Sequence, residues 1–209
     1  ANGGDAIKAD QLLKVLSGKL NLSYTGDGIQ SEAELYVGEP GKAGPTITMT
    51  NGYEGLEGDK VYCYSGDITI TVKKNTAEDS GGNCIQGKTY LQMVGGTYTL
   101  STDDDAIKSD YDVYIGAPCS TEGPTINVLR SYEGIEGACI YIYGGNINVE
   151  ASDDAMNAAN SDLGSSQPPA PVGIRLPAKS APMLTIGSPA AYEGTPDPVD
   201  TGVAIRLTR

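Results

Sequence analysis

The chain has 209 residues with 27 Asp and Glu against 14 Lys and Arg, a net charge of −13, and no His, Trp or Phe. An acidic surface of this size repels a phosphate backbone, which excludes nucleic acid as a partner. No apolar run is long enough to span a bilayer, so membrane insertion is not expected, and the length fits a single domain.

The first element is a short phrase, Asp5-Ala6-Ile7-Lys8-Ala9: an acid, a small residue, an aliphatic, any residue, and another small one. It returns with leading residues Asp27, Glu54, Asn83, Asp105, Glu133 and Asp154, a unit of about 22 residues with short insertions. Each unit is read as one coil. A longer period lies above it: Asp5 to Asn83 and Asp27 to Asp105 are both 78 apart, and Glu54 to Glu133 is 79. Tyr36-Val37-Gly38, Gly44-Pro45-Thr46-Ile47 and Tyr53-Glu54-Gly55 recur in the same order as Tyr114-Ile115-Gly116, Gly123-Pro124-Thr125-Ile126 and Tyr132-Glu133-Gly134, so three coils are duplicated as a block.

Because the first coil starts almost at once, a leader or capping segment is expected to have been removed. A hint of a helical stripe runs from Gln11 to Leu16, but elsewhere the apolar residues alternate, as in Asp67–Val72, Thr97–Leu100 and Asn146–Val149, and this predicts strands. Four cysteines, Cys63, Cys84, Cys119 and Cys139, allow three disulfide pairings and equally allow free thiols; none has the CxxC spacing of a zinc site.

The last fifty residues differ, with 8 of the 12 prolines. Domain organisation is therefore read as repeats over 1–160, an insertion or linker over 161–171, and a degenerate last coil or a C-terminal cap over 172–209, where Val172-Gly173-Ile174, Pro177, Pro182 and Tyr192-Glu193-Gly194 echo earlier coils.

A β-rich unit that cannot bury its apolar face alone points to an all-β fold, a single-stranded parallel β-helix of about 7–8 coils. Ile7, Ile29, Leu56, Ile85, Ile107, Ile135 and Met156 would form one interior column. In the same register carboxylates stack on carboxylates, and two charges about 5 Å apart repel by roughly 3 kcal/mol at an effective dielectric of 20. Three positions further along the column runs Lys8, Gln30, Glu57, Gln86, Lys108, Glu136, Asn157, which sets Lys108 beside Glu136. Lysines supply only part of the countercharge. Calcium, which takes six to eight oxygens in irregular geometry, is the expected remainder, with Asp5, Asp27, Glu54, Asp104, Asp105, Glu133, Asp153 and Asp154 as candidate ligands; the alternative is a solvated acidic face.

The phrases Gly26-Asp27-Gly28-Ile29, Tyr53-Glu54-Gly55-Leu56-Glu57-Gly58, Asp103 to Asp110 and Ser152 to Asp162 resemble a family of bacterial extracellular carbohydrate-binding proteins. The resemblance covers residues 3–162. It implies a right-handed β-helix like that of polysaccharide lyases, bound calcium, a secreted or cell-surface location, and binding of cellulose or acidic, pectin-like polysaccharide. Asn83 departs from the acidic pattern at its leading position.

Three classes of function, binding, catalytic and structural, are consistent with the residues. A binding module would present tyrosines to pyranose rings, since tyrosine can stack through its face and hydrogen bond through its hydroxyl; Tyr53, Tyr62, Tyr132 and Tyr141 are the candidates, a structural tyrosine stack being the alternative. A calcium-dependent polysaccharide lyase would need a base and a cation to stabilise an enolate, and Arg130, whose counterpart in the earlier copy is Asn51, is the catalytic candidate, with Asp104 and Asp153 on neighbouring coils. Stacked carboxylates about 5 Å apart also suit a retaining glycoside hydrolase. Open coil ends could instead drive end-to-end self-association into fibres.

Overall fold

The computed structural model describes residues 4–74, 81–118, 120 and 122–158, and beyond them the backbone of two strands. Among the described residues there is no α-helix. The strands are β1 (Ile7–Ala9), β2 (Leu12–Val15), β3 (Lys19–Ser23), β4 (Asp27–Val37), β5 (Thr46–Gly52), β6 (Glu54–Cys63), β7 (Asp67–Val72), β8 (Ile85–Met93) and β9 (Thr97–Ser101). There follow β10 (Ile107–Lys108), β11 (Asp112–Ile115), β12 (Thr125–Arg130), β13 (Ile135–Glu136), β14 (Cys139–Ile142), β15 (Gly145–Glu150), β16 (Met156–Asn157), β17 (Met183–Ile186) and β18 (Val203–Thr208).

They form two parallel sheets. One runs β1-β4-β6-β8-β10-β13-β16 and is extended by β2, β11, β14 and β17; the other runs β3-β5-β7-β9-β12-β15-β18. The chain passes through the first sheet, crosses to the second, and returns one strand further along the first. The register shifts where Gly58 to Lys60 of β6 meets the longer stretches Ser31 to Glu34 of β4 and Gly87 to Tyr90 of β8, so β4 and β8 each carry an extra residue, which bends a strand. Neither sheet closes into a barrel.

Register follows the repeated phrase. Ile7 pairs with Ile29, Ile29 with Leu56, Leu56 with Ile85, Ile85 with Ile107, Ile107 with Ile135, and Ile135 with Met156. The members from Ile29 to Ile135 have no exposed surface, and they pack into one core with Ile47, Ile68, Tyr98, Ile126 and Ile147 from the facing sheet. A fully buried isoleucine contributes about 1.5–3 kcal/mol through its area removed from water.

The small residue after the leading acid has a steric cause. A Cβ on Gly55 would lie 2.2 Å from the Cys84 carbonyl oxygen, and one on Gly134 would lie 2.3 Å from the Val149 side chain. Gln11–Leu16 is not helical: β2 lies parallel to β4 with Leu13 against Leu35 and Val15 against Val37, so the pairing partner overrides the weak stripe.

Cys63 and Cys84 are buried thiols in the core, and Cys119 lies outside the described residues. In the tail, β17 pairs with β14 and β18 with β15, so two stretches of 172–209 add a strand to each sheet. The segment 161–171 and the echoes at Val172–Ile174, Pro177, Pro182 and Tyr192–Gly194 also lie outside the described residues.

Ile107 sits in mid-column with neighbours on both sides, so Ile107→Ala should destabilise the protein by about 2–5 kcal/mol in urea unfolding. Thr99→Ala, which truncates an outward side chain on β9, should change it by less than about 1 kcal/mol.

Candidate functional site

Three groups of side chains stand out from this frame. The first is the polar column three positions after each leading residue: Lys8, Gln30, Glu57, Gln86, Lys108, Glu136 and Asn157 are in register, as the sequence implied. Lys108 Nζ lies 2.6 Å from both Asp105 and Glu136. Burial works against that charge, but the two carboxylates outweigh it and hold the lysine above its usual pKa. Carboxylate oxygens of Asp105, Glu133 and Glu136 come within 4.8 Å of one another, but the Lys108 ammonium already bridges two of them, and Asn157 Nδ2 donates to both oxygens of Glu133 at 3.0 and 3.1 Å.

The earlier copy of this site is neutralised less completely. Lys88 pairs with Glu57 at 2.6 Å, Gln30 Nε2 donates to Glu57 at 2.7 Å, and the Asn83 backbone and side-chain amides donate to Glu54 at 3.2 and 3.3 Å. Burial, followed by the nearby Glu57 and Asp27 charges, pushes Glu54 up to about 9. Burial, with Glu57 and Asp5 adding, pushes Asp27 up to about 6. Gln30 Oε1 and Asn83 Oδ1 are buried and accept no hydrogen bond.

The other acids predicted as ligands are placed individually. Asp5 accepts the Asp27 amide at 3.0 Å, Asp104 pairs with Lys74 at 3.5 Å, and Asp154 is half-buried with its carbonyl accepting the Gly134 amide.

The second group is a tyrosine stack on the outer side of the first sheet. Tyr36, Tyr62, Tyr90, Tyr114 and Tyr141 follow one another at centroid distances of 4.7, 5.4, 5.2 and 4.6 Å, with Tyr64 and Tyr143 beside them and the Lys14 ammonium 4.9 Å above Tyr36. Tyr141 is buried and Tyr62 half-buried. Their faces are spent on one another.

The third group lies on the edge where the chain leaves the second sheet. The residue before each leading acid forms a column here: Tyr53 N–H donates to the Gly26 carbonyl, Gly82 to Tyr53, Tyr132 to Asp104 and Asp153 to Tyr132, while Gly82 and Asp104 are joined through Thr102 Oγ1, which donates to the Gly82 carbonyl. Tyr53 and Tyr132 thus stand on one edge three strand spacings apart, about 14 Å. Tyr132 is 49% exposed, whereas Tyr53 is half-buried.

Beside Tyr132 opens a cleft of about 260 Å³ lined by Thr102, Asp103, Arg130, Ser131, Tyr132, Glu150, Ala151 and Ser152. A bulge at Leu129 puts Arg130, not Leu129, opposite Ser101 and leaves both bulged residues exposed, a common way to re-aim a side chain. Arg130 pairs with Asp103, not with Asp104 or Asp153. The Asp153 carboxylate hydrogen bonds the Tyr132 hydroxyl and holds the phenol above its usual pKa. The sequence pointed to Arg130, Tyr132 and Asp153 as site residues and carried Asp103 only as part of the acidic phrase Asp103 to Asp110, not as the partner of Arg130; it missed Glu150, which no repeated phrase contains.

The arrangement offers an exposed aromatic face, a guanidinium fork and several carboxylate and hydroxyl oxygens around a shallow opening. Against known proteins, the model of a family described as carbohydrate-binding domain-containing protein matches residues 1–121. The chain belongs to that family. The match takes in Tyr53 and Glu54 and stops short of Arg130 and Tyr132, which the internal duplication relates to it. No curated protein and no solved structure matches the chain.

The raised carboxyls of Glu54 and Asp27 set a pH dependence. Stability carried by their neutral forms is fully present below the unfolded values near 4.5 and 3.8 and is lost as pH rises towards about 9 and about 6. In chelator, the melting temperature by circular dichroism should therefore fall between pH 5 and pH 9, and Glu54→Gln should flatten that fall.

Proposed function

We propose that the chain is a secreted or cell-surface module that binds plant-type polysaccharide, cellulose or an acidic pectin-like glycan, along the edge carrying Tyr53 and Tyr132. The observation that carries this reading is the exposed Tyr132 face beside the cleft of Arg130, Asp103 and Glu150. One sugar of an extended chain spans about one strand spacing of 4.8 Å, so a glycan lying along the edge advances in step with the coils. Tyr132 would stack on a ring, Arg130 would donate to ring hydroxyls or a uronate, and the cleft carboxylates would accept from hydroxyls.

The same reading takes the two parallel sheets as faces of a right-handed parallel β-helix. The strictly parallel pairing and the one-strand advance per repeat support it.

Calcium is proposed at Asp27, Glu54 and Glu57, with Gln30 Oε1 and Asn83 Oδ1 as neutral oxygen ligands. The support is the two buried, unpartnered amide oxygens beside carboxyls that burial otherwise drives to protonate. The mixture of carboxylate and amide oxygen suits a hard cation. The later copy has Lys108 in the corresponding column and is the weaker candidate.

Tyr132→Ala should weaken binding to cellulose or polygalacturonate at least tenfold, about 1.4 kcal/mol, in affinity electrophoresis, with an unchanged melting temperature. Equal affinity of the variant and the parent on both polymers would remove Tyr132 from the site.

Calcium at saturating concentration should raise the melting temperature and EDTA should reverse the rise. The gain should disappear in Asn83→Leu but persist in Lys108→Met; the opposite pattern would move the ion to the later copy.

A further inference from the structure

The cleft beside Tyr132 is short of hydrogen-bond donors. Its hydroxyls are turned onto the protein's own backbone: Thr102 Oγ1 donates to the Gly82 carbonyl, Ser131 Oγ to the Glu150 carbonyl at 3.2 Å, and Ser152 Oγ to the Ser131 carbonyl at 3.3 Å. The backbone amides of Thr102, Tyr132 and Ser152 are spent on the carbonyls of Arg130, Asp104 and Ser131. The Tyr132 hydroxyl is engaged by the Asp153 carboxylate. Among the described side chains lining the opening, Arg130 alone keeps N–H groups to spare, and Asp103 already balances its charge.

Acceptors are in surplus. Asp103, Glu150 and Asp153 are all exposed around that single guanidinium, three acids against one base, and Lys74 is engaged by Asp104. Two negative charges therefore stand uncompensated at the rim, in a chain whose net charge is −13.

A ligand that suits such an opening brings donors and positive charge. A uronate is an acceptor only, and it would meet carboxylates that no base neutralises. An ammonium has three donors and no acceptor. The exposed face of Tyr132 receives a cation as readily as the apolar edge of a ring.

We propose that this cleft binds a cationic amino sugar, a glucosamine chain with the backbone of cellulose, with Glu150 and Asp153 receiving the ammonium while Tyr132 stacks on the ring. Replacing one ring hydroxyl by an ammonium leaves the backbone unchanged, so the advance of about one sugar per coil is kept. The inference rests on the reading of the cleft as a glycan site and narrows its ligands by charge.

Titration calorimetry on the full chain, in EDTA and at physiological salt, should show a glucosamine oligomer binding at least tenfold more tightly than its N-acetylated form or a cello-oligomer of equal length. Glu150→Gln should cut that preference to less than threefold. Asp67→Asn, which removes the same charge at the opposite end of the strands of the second sheet, should leave the preference intact, and both variants should keep the parent's circular dichroism. Equal affinity for the free and N-acetylated amines would overturn the proposal. An equal loss in Asp67→Asn, or displacement of the sugar by a lysine oligomer of the same charge, would overturn it by assigning the effect to overall charge. Cello-oligomer binding that is lost in Tyr132→Ala but shows no preference for the amine would overturn the ammonium site and keep the glycan site; no binding of any of the three oligomers would remove both.

Discussion

The structure depends on one contact repeated down the molecule, an aliphatic side chain seated on the aliphatic side chain of the next coil in parallel register. In a strand, a slip of one residue sends every side chain to the opposite face, so the Ile7 to Met156 column fixes far more than its own burial. It decides that Lys108 faces Glu136, that Tyr114 faces Tyr141 and that Thr69 faces Thr99. Polar and aromatic arrays outside the core are consequences of this packing inside it.

Stacking like on like is stabilising for isoleucine and threonine and costly for carboxylates. The chain relieves that cost in two ways. Where lysine falls in the column, as at Lys108, an ammonium bridges carboxylates of the same and the next coil. Where glutamine or asparagine falls, the amide donates to one carboxylate but leaves its own oxygen without a donor, as at Gln30 and Asn83. Amides neutralise nothing, so the burden passes to a proton on Glu54 or to a bound cation, and the two have opposite pH preferences.

What was legible in the sequence is what the short phrase controls. Its fixed spacing lines up Ile7 to Met156, and from that alignment the Lys108–Glu136 pair follows by counting. Less legible were features set by interruptions of the phrase. Lys88 reaches Glu57 from a coil whose leading residue is Asn83, and the bulge at Leu129 sets Arg130 opposite Ser101, where it pairs with Asp103 rather than with Asp104. Tyr132 and Tyr141 read alike in sequence, yet one lies on a corner and the other within a strand, where the neighbouring tyrosines cover it. Gln11 to Leu16 carried a stripe too short to resist a strand partner, and threonine pairs such as Thr69 with Thr99 needed the pairing itself, because alternation alone does not say which threonines meet.

The duplicated block shows how a site arises without disturbing the frame. In the first copy Tyr24 is buried, its hydroxyl donating to the Glu54 carbonyl at 2.7 Å, and its ring lies where a Cβ on Gly52 would fall 1.8 Å away. Asn51 precedes that glycine with a φ of 70°, a left-handed conformation that asparagine tolerates better than most residues. In the second copy the residues at the positions of Tyr24, Asn51 and Gly52 are Thr102, Arg130 and Ser131. Threonine leaves space that tyrosine fills, and the space admits a serine side chain where the first copy requires glycine. All three replacements line the cleft beside Tyr132. The aliphatic column runs unbroken through both copies, so a change of side-chain volume at one corner is enough to turn a packed turn into an opening with an arginine at its rim.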